Sequence, residues 1–468
     1  MDTAPPASHA LHRTLGPVEV LFLALSALTP GASVFIYGGA ILHMAGTGTA
    51  TAVLIGGAIA AVAALLYAEL GAAFPQAGGI YPSLVGVLGP FWSFPYITMM
   101  MLMAPGTVAF SILGFTDYVR FLAPGLPPYV VALGCLVLAS GVAVLSIRTG
   151  ALVTGVFLLI EAIALVTLSA VAITHPARSL ATVIAHPMVL SHHAMQPLAP
   201  AILGLALVSG VYTTAGASWA MYFGEELKDA RRRIGPVIAV VGVLAAITIA
   251  GPLILMVLSA TDLEHIFAAD APVAAYIAKA GGPGLAAAVS ASLVVAIFNA
   301  IVATIMGYGR LFYATGRDGV WPRSISRVLA HLHKQMRSPM AATLVVALAA
   351  AAMMLLGEQR LLVLTAGQNI VEYFLIAAAV LVGRRLGRTG ANYRAPLYPL
   401  IPLIAIVVAT GFVAAEWADP SAGRPSLLVL IAVVVGSFVY YRAHVSRRQE
   451  GWGASRPAAI VVEAAETP

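Results

Sequence analysis

The sequence predicts an all-α integral membrane protein of about twelve transmembrane helices. Two observations predict the class, and a third its organisation. Of 468 residues, 60% are hydrophobic and only 9% charged, far from the balance of a water-soluble domain. Apolar runs of about 18 residues or more follow one another with short polar stretches between them, which leaves no room for a soluble domain. In two of these runs, Leu28-Thr29-Pro30-Gly31-Ala32-Ser33 and Ser209-Gly210-Val211-Tyr212-Thr213-Thr214-Ala215-Gly216, helix breakers sit at mid-span. Non-helical backbone at membrane depth persists only where it is buried in protein or lines a cavity, so each break marks a candidate site.

Helices are expected over 17–45, 50–73, 90–121, 127–146, 150–174, 198–223, 235–259, 285–315, 340–356, 361–383, 397–416 and 426–443. Residues 1–16 are too poor in apolar side chains for a signal peptide and read as a cytoplasmic tail. In the first helix Pro30 has no N–H for the carbonyl of Ser26, and Gly31 favours the break. The second half-helix then turns its positive N-terminal end toward the gap, a place for an anionic substrate group. The second helix ends in Tyr67-Ala68-Glu69-Leu70-Gly71 and runs into Phe74-Pro75-Gln76-Ala77-Gly78-Gly79-Ile80-Tyr81-Pro82, a turn without charge that should pack back against the bundle. The third helix offers Met99 to Met103 as pocket wall. Cys135, the single cysteine, packs in the fourth and excludes an intramolecular disulfide and a cysteine-based metal site.

Glu161 lies about twelve residues into the fifth helix, roughly 18 Å deep in a core about 30 Å thick. An ionised carboxylate there costs roughly 2.5–3.5 kcal/mol, so it should face the interior and be paired or protonated. Two readings fit: a functional group, or a neutral Glu hydrogen-bonded to another helix. The next loop holds His175, His186, His192 and His193, and the adjacent pair lacks the spacing that puts two ligands on one face, which argues against a metal site.

The sixth helix repeats the theme of the first, although glycine also serves close helix packing. Position favours a break: the two interrupted helices each open a block of five, 17–174 and 198–383, and an odd number inverts the second block relative to the first. Arg231 to Arg233 after helix six read as positive-inside anchors. On helix eight, Arg310 either snorkels to the headgroups or pairs with an acid such as Glu69 to form an inner gate. Asn299 is a pocket candidate on the same helix, and Ser290, Ser292 and Thr304 offer hydroxyls for a sodium ion. Helix ten carries Asn369 and a second midplane acid, Glu372, which serves either a polar pocket or helix pairing. Helices eleven and twelve (397–443) carry no such charge and read as peripheral; 449–468 reads as a disordered cytoplasmic tail.

The net charge of +6 is topological. With the N-terminus inside, the inner segments hold 20 of the 25 Lys and Arg residues, which places both termini in the cytoplasm of an inner-membrane protein and argues against nucleic acid as a partner.

Four stretches together resemble the amino acid, polyamine and organocation (APC) superfamily of permeases: Tyr67 to Tyr81; Gly216 with Glu225-Glu226-Leu227-Lys228-Asp229; Arg310 to Pro322; and Asn392-Tyr393-Arg394-Ala395-Pro396-Leu397-Tyr398-Pro399. The resemblance implies the leucine-transporter-type fold, a 5+5 inverted repeat with helices one and six broken and two helices added. It implies that amides of Gly31, Ala32 and Ser33, beside Thr29, receive a substrate carboxylate. Ser33 stands where the family usually has glycine, and Pro30 is unusual. Carbonyls from Tyr212 to Gly216, including those of Thr213 and Thr214, would receive the ammonium, with Ser209 a further substrate-binding candidate, and Tyr212 stands where relatives carry an aromatic gate. Glu161 falls where many relatives use a lysine in place of a sodium ion; a Glu exchanges a proton but does not reproduce that positive charge, which makes it the expected proton-coupling group. The expected function is a secondary active transporter of amino acids or related organic amines, working by alternating access as a proton symporter, with sodium coupling or obligate exchange as alternatives. A membrane-embedded enzyme would want a His, Asp or Cys cluster, which the sequence lacks, and a channel has no need of two opposed breaks. No cofactor is expected; the partners are a small molecule, a coupling ion and the bilayer.

Overall fold

The helices of the computed structural model begin and end at the breakers that divide the sequence. The structure describes residues 11 and 13–447, except 124, 146, 175, 192–193, 270, 334–337, 366 and 421–422, together with Trp452. His175, His192 and His193, most of the N-terminal tail, and the C-terminal tail apart from Trp452 lie outside the described residues.

The first helix, α1 (Pro17–Leu28), stops at Thr29; the chain resumes as α2, made of Pro30–Ala32, a π-helical turn Ser33–Tyr37 and Gly38–Ala45. After a turn at Gly46–Gly48 come α3 (Thr49–Ala73), α4 (Tyr81–Leu88), α5 (Pro90–Leu122), α6 (Pro128–Ala143) and α7 (Ile147–Ile173). The second block opens with α8 (Pro200–Thr214), a 3-10 segment Ala217–Glu226 and α9 (Ala230–Ser259), then α10 (Pro283–Arg317), α11 (Met340–Met354), α12 (Glu358–Thr365) and α13 (Gln368–Arg385). Two further helices, α14 (Leu400–Ala418) and α15 (Gly423–Tyr440), close the bundle.

Eight described stretches are long and apolar enough to cross a membrane, which makes this a multi-pass membrane protein. About twelve were expected. The stretch Pro17–Ala73 has 57 residues and doubles back at Gly46–Gly48, and α6 and α11 are apolar but shorter than a full span. The expected helix over 361–383 is divided between Thr365 and Gln368. Large apolar side chains stand exposed on α6, α7, α11 and α14, among them Val137, Ile163, Leu348 and Val407, as suits faces turned to hydrocarbon.

Small residues draw the core together. A Cβ on Gly56 of α3 would lie 2.4 Å from the carbonyl carbon of Gly210 on α8, and one on Gly210 would lie 2.3 Å from the Ala52 oxygen. Gly210, flagged above as part of a break, is therefore a helix-packing glycine. The uncharged turn after α3 does fold back, with Gly78, Gly79 and Ile80 buried as it enters α4. Cys135 is buried in α6. The loop before α8 contains an unexpected two-stranded hairpin, Met188–Ser191 with Ala194–Pro197.

Candidate substrate site

The first break is built around a carboxylate. Thr29 has φ 49° and ψ 79°, the left-handed region that a β-branched residue rarely adopts. Its hydroxyl donates to Oε1 of Glu161 at 3.1 Å, and the Gly31 N–H donates to the same oxygen. Oε2 of Glu161 is buried with no partner. The Ser33 N–H is also engaged, by the Thr29 carbonyl at 3.0 Å, and the Ser33 hydroxyl donates to the Leu28 carbonyl at 3.3 Å. Two of the three amides expected to face a substrate carboxylate thus have acceptors within the protein.

The second break follows Thr214. The Ala215 N–H turns back to the Val211 carbonyl at 2.9 Å, and beyond Gly216 the chain continues as the 3-10 segment. The Thr213 and Thr214 hydroxyls donate to the Ser209 and Gly210 carbonyls at 2.7 and 2.8 Å, and the Ser209 hydroxyl donates to Leu205 at 3.3 Å, so all three serve their own helix. A Cβ on Gly216 would lie 2.3 Å from Cδ1 of Leu28. The two breaks therefore meet.

Beside that contact lies a cavity of about 150 Å³ whose wall includes Thr29, Ser33, Tyr212, Thr213, Gly216, Met100, Thr304, Asn369 and Glu372. Gly31, Ala32, Ser209 and Thr214 are not in that wall, and neither are Ser290, Ser292 or the rest of the run from Met99 to Met103. Glu372 accepts a 2.7 Å hydrogen bond from the Tyr67 hydroxyl at Oε1, and Ser218 stands beside it. The sequence reading missed the aromatic residues Tyr37, Trp219, Tyr222 and Tyr308. Trp219 lies 5.2 Å from Tyr222 and 5.1 Å from Tyr308, ring centre to ring centre. One signal was available: Tyr308 follows Thr304 by one helical turn and so shares its face. Asn299 is fully buried outside the cavity, with both amide atoms unpartnered.

A second cavity, about 370 Å³, shares Tyr37, Thr107, Tyr212, Thr213 and Asn369 with the first, and Ser209 lines it. Tyr37 and Tyr212 meet edge to face with ring centres 5.6 Å apart at this partition. Phe412 and Glu416 of α14 also line it, so this helix is not merely peripheral.

Ion pairs close the end of the bundle where α3, the 3-10 segment, α10 and α13 finish. Arg310 is buried against Glu226, with Nε to Oε2 at 2.6 Å and Nη2 to Oε1 at 3.0 Å. Its partner is not Glu69, because α10 carries Arg310 alongside the end of the 3-10 segment. Glu69 is met by Arg384 at 2.8 and 2.5 Å, the Thr389 hydroxyl at 3.0 Å and the Ala395 N–H at 2.8 Å. Glu225 holds Arg317 at 2.7 Å and accepts the N–H groups of Leu11 and Ala77. Arg231 to Arg233 are exposed, as anchors would be. Neither Glu69 nor Arg310 reaches either cavity. No group of three or more metal-ligating side chains occurs among the described residues.

The sequence profile of a family described as "Amino acid permease" matches residues 15–440. An uncharacterized transporter of Mycobacterium tuberculosis is 26% identical over 411 residues, 85% of this chain and 86% of the relative. The human "Asc-type amino acid transporter 1" is 25% identical over 373 residues, 73% of this chain and 66% of its own length. The "Methylthioribose transporter" of Bacillus subtilis is 23% identical over 468 residues, 94% of this chain and 95% of that protein.

Proposed function

We propose, from the premise that this chain belongs to the amino acid permease family, that it is a proton-coupled secondary transporter working by alternating access. That it transports amino acids or related compounds follows from the family and its relatives. The observation that carries the rest is the meeting of two broken helices, Leu28 against Gly216, beside a buried cavity that both breaks line. An inverted pairing of the blocks 17–174 and 198–383 accounts for that meeting, since it brings equivalent helices face to face. On this reading both termini are cytoplasmic, the 370 Å³ cavity is an outer vestibule, and Tyr37 with Tyr212 is the partition a substrate passes.

Glu161 is the coupling group. Its Oε1 is tied to Thr29 and Gly31 at the break, while its buried Oε2 has no partner and is free to take a proton. Protonation removes the negative charge that holds the Gly31 N–H, so proton binding and the geometry of the break change together. Tests use purified protein in proteoliposomes with empty lumens and pooled labelled amino acids and amines. An acid-outside gradient drives accumulation that a protonophore abolishes, and Glu161→Gln abolishes the gradient dependence. Accumulation by Glu161→Gln with unchanged pH dependence would refute this role. Uptake that appears only after the lumen is preloaded would instead identify an exchanger.

A further inference from the structure

We infer that the central cavity takes an organic cation that carries no carboxylate, its ammonium received by Glu372. The inference rests on the transporter reading above and narrows the cargo within it.

Each broken helix leaves backbone groups unsatisfied at the break. A helix N-terminus presents positive N–H groups and a C-terminus presents bare carbonyls, so one break suits an anion and the other a cation. Here two of the three amides at the positive end already have acceptors. Glu161 supplies a carboxylate oxygen to the Gly31 N–H, and the Ser33 N–H belongs to the Thr29 carbonyl. Gly31 and Ala32 are buried outside the cavity wall, so a bound molecule in that cavity does not reach them. The protein provides its own anion where an amino acid's carboxylate would go.

The negative end is open. The end of α8 at Thr214 contributes to the cavity through Thr213 and Ala215; the Ala215 N–H donates to the Val211 and Tyr212 carbonyls, which leaves those of Thr213 and Thr214 past the last intrahelical bond. Glu372 is the only carboxyl group among the described lining residues, and no Lys, Arg or His joins it. Its Oε1 holds the Tyr67 hydroxyl, and the carboxyl keeps contact with the cavity rather than being sealed in the core. Around it stand Tyr67, Tyr212, Trp219, Tyr222 and Tyr308. Aromatic faces attract a desolvated cation by about 2 kcal/mol and offer nothing comparable to an anion. A carboxylate in this space would face Glu372 and helix-terminal carbonyls without a cationic partner, an arrangement that rejects it. The volume, about 150 Å³, holds about five waters' worth of ligand, which fits a small amine.

The test compares cargoes that differ only by the α-carboxylate: isobutylamine with valine, phenethylamine with phenylalanine, cadaverine with lysine. Each is presented as labelled compound to wild-type proteoliposomes, with empty and with preloaded lumens. The amine of at least one pair is expected to enter about tenfold faster than its amino acid, a difference of about 1.4 kcal/mol. Glu372→Gln should remove that uptake, and Glu372→Asp, which keeps the charge, should retain part of it. Uptake of the amino acids equal to or above that of the amines overturns the inference and leaves the transporter reading intact. If no member of any pair moves, with either lumen, both fall.

Discussion

Gly31 and Glu161 set a tight steric and electrostatic constraint. A Cβ on residue 31 would lie 2.9 Å from Cγ and 3.0 Å from Oε1 of Glu161, so Gly31→Ala must drive the carboxyl away from the break. Overpacking of this kind costs about 1–3 kcal/mol. Gly31→Ala should therefore lower the melting temperature of the purified protein and cut uptake. Gly31→Ala combined with Glu161→Ala should recover the stability but not the gradient-driven uptake. Equal melting of the single and double variants would mean that Glu161 is not what Gly31 makes room for. That Glu161 is buried against another helix was legible in the sequence, because a carboxylate at mid-membrane is costly wherever it appears. Its partner was not, since Gly31 and Glu161 are 130 residues apart. The same holds for Glu372 and Tyr67, 305 apart, and for Arg310, whose buried acid is Glu226 rather than Glu69.

At the scale of elements, the breaks in the first and sixth helices were readable because proline and glycine remove donors or favour turns locally. The division between α12 and α13 was not, because a lone Gly367 in an apolar run looks the same whether it packs or breaks. The hairpin over 188–197 escaped for a related reason: its strands are four residues each, too short for an alternating pattern to stand out. Where elements meet, sequence spacing says little. Tyr37 of α2 and Tyr212 of α8 form the partition between the two cavities; the resemblance marked Tyr212 as a gate position, but nothing in the sequence marked Tyr37 as its partner. Tyr37→Ala should join the cavities. With Cys135→Ser as background and Thr304→Cys, which lines only the smaller cavity, as reporter, a membrane-impermeant maleimide added from the vestibule side should label Tyr37→Ala several times faster than the parent. Labelling at the parent rate would place the barrier elsewhere.

For the whole molecule, the ion pairs and hydrogen bonds at one end decide which state this is. Contacts there tie the first part of the chain to the second, among them Glu69 with Arg384, the Tyr81 hydroxyl with Asp318 at 2.7 Å, and the Ala77 N–H, joined by that of Leu11 from the N-terminal tail, with Glu225. The larger cavity lies beyond the tyrosine partition. On the proposed alternating-access reading these contacts hold the ion-paired end shut, and opening there would require Glu69, which is fully buried, to lose its partner. Removing one member of a buried pair costs about 3–5 kcal/mol, and that cost falls only on the state in which the pair is made. A two-state equilibrium shifts by that differential free energy, enough to move a population from mostly closed to mostly open. Arg384→Ala should therefore raise labelling of a Thr304→Cys reporter from the ion-paired side and lower it from the opposite side. Replacing Glu69 and Arg384 together by leucine, which leaves no charge unpaired, should shift the balance less. If Arg384→Ala lowers the melting temperature without changing labelling from either side, the pair holds the fold rather than the closed state. In that case the next candidate for the barrier is Glu226 with Arg310, an ion pair in which both side chains are buried.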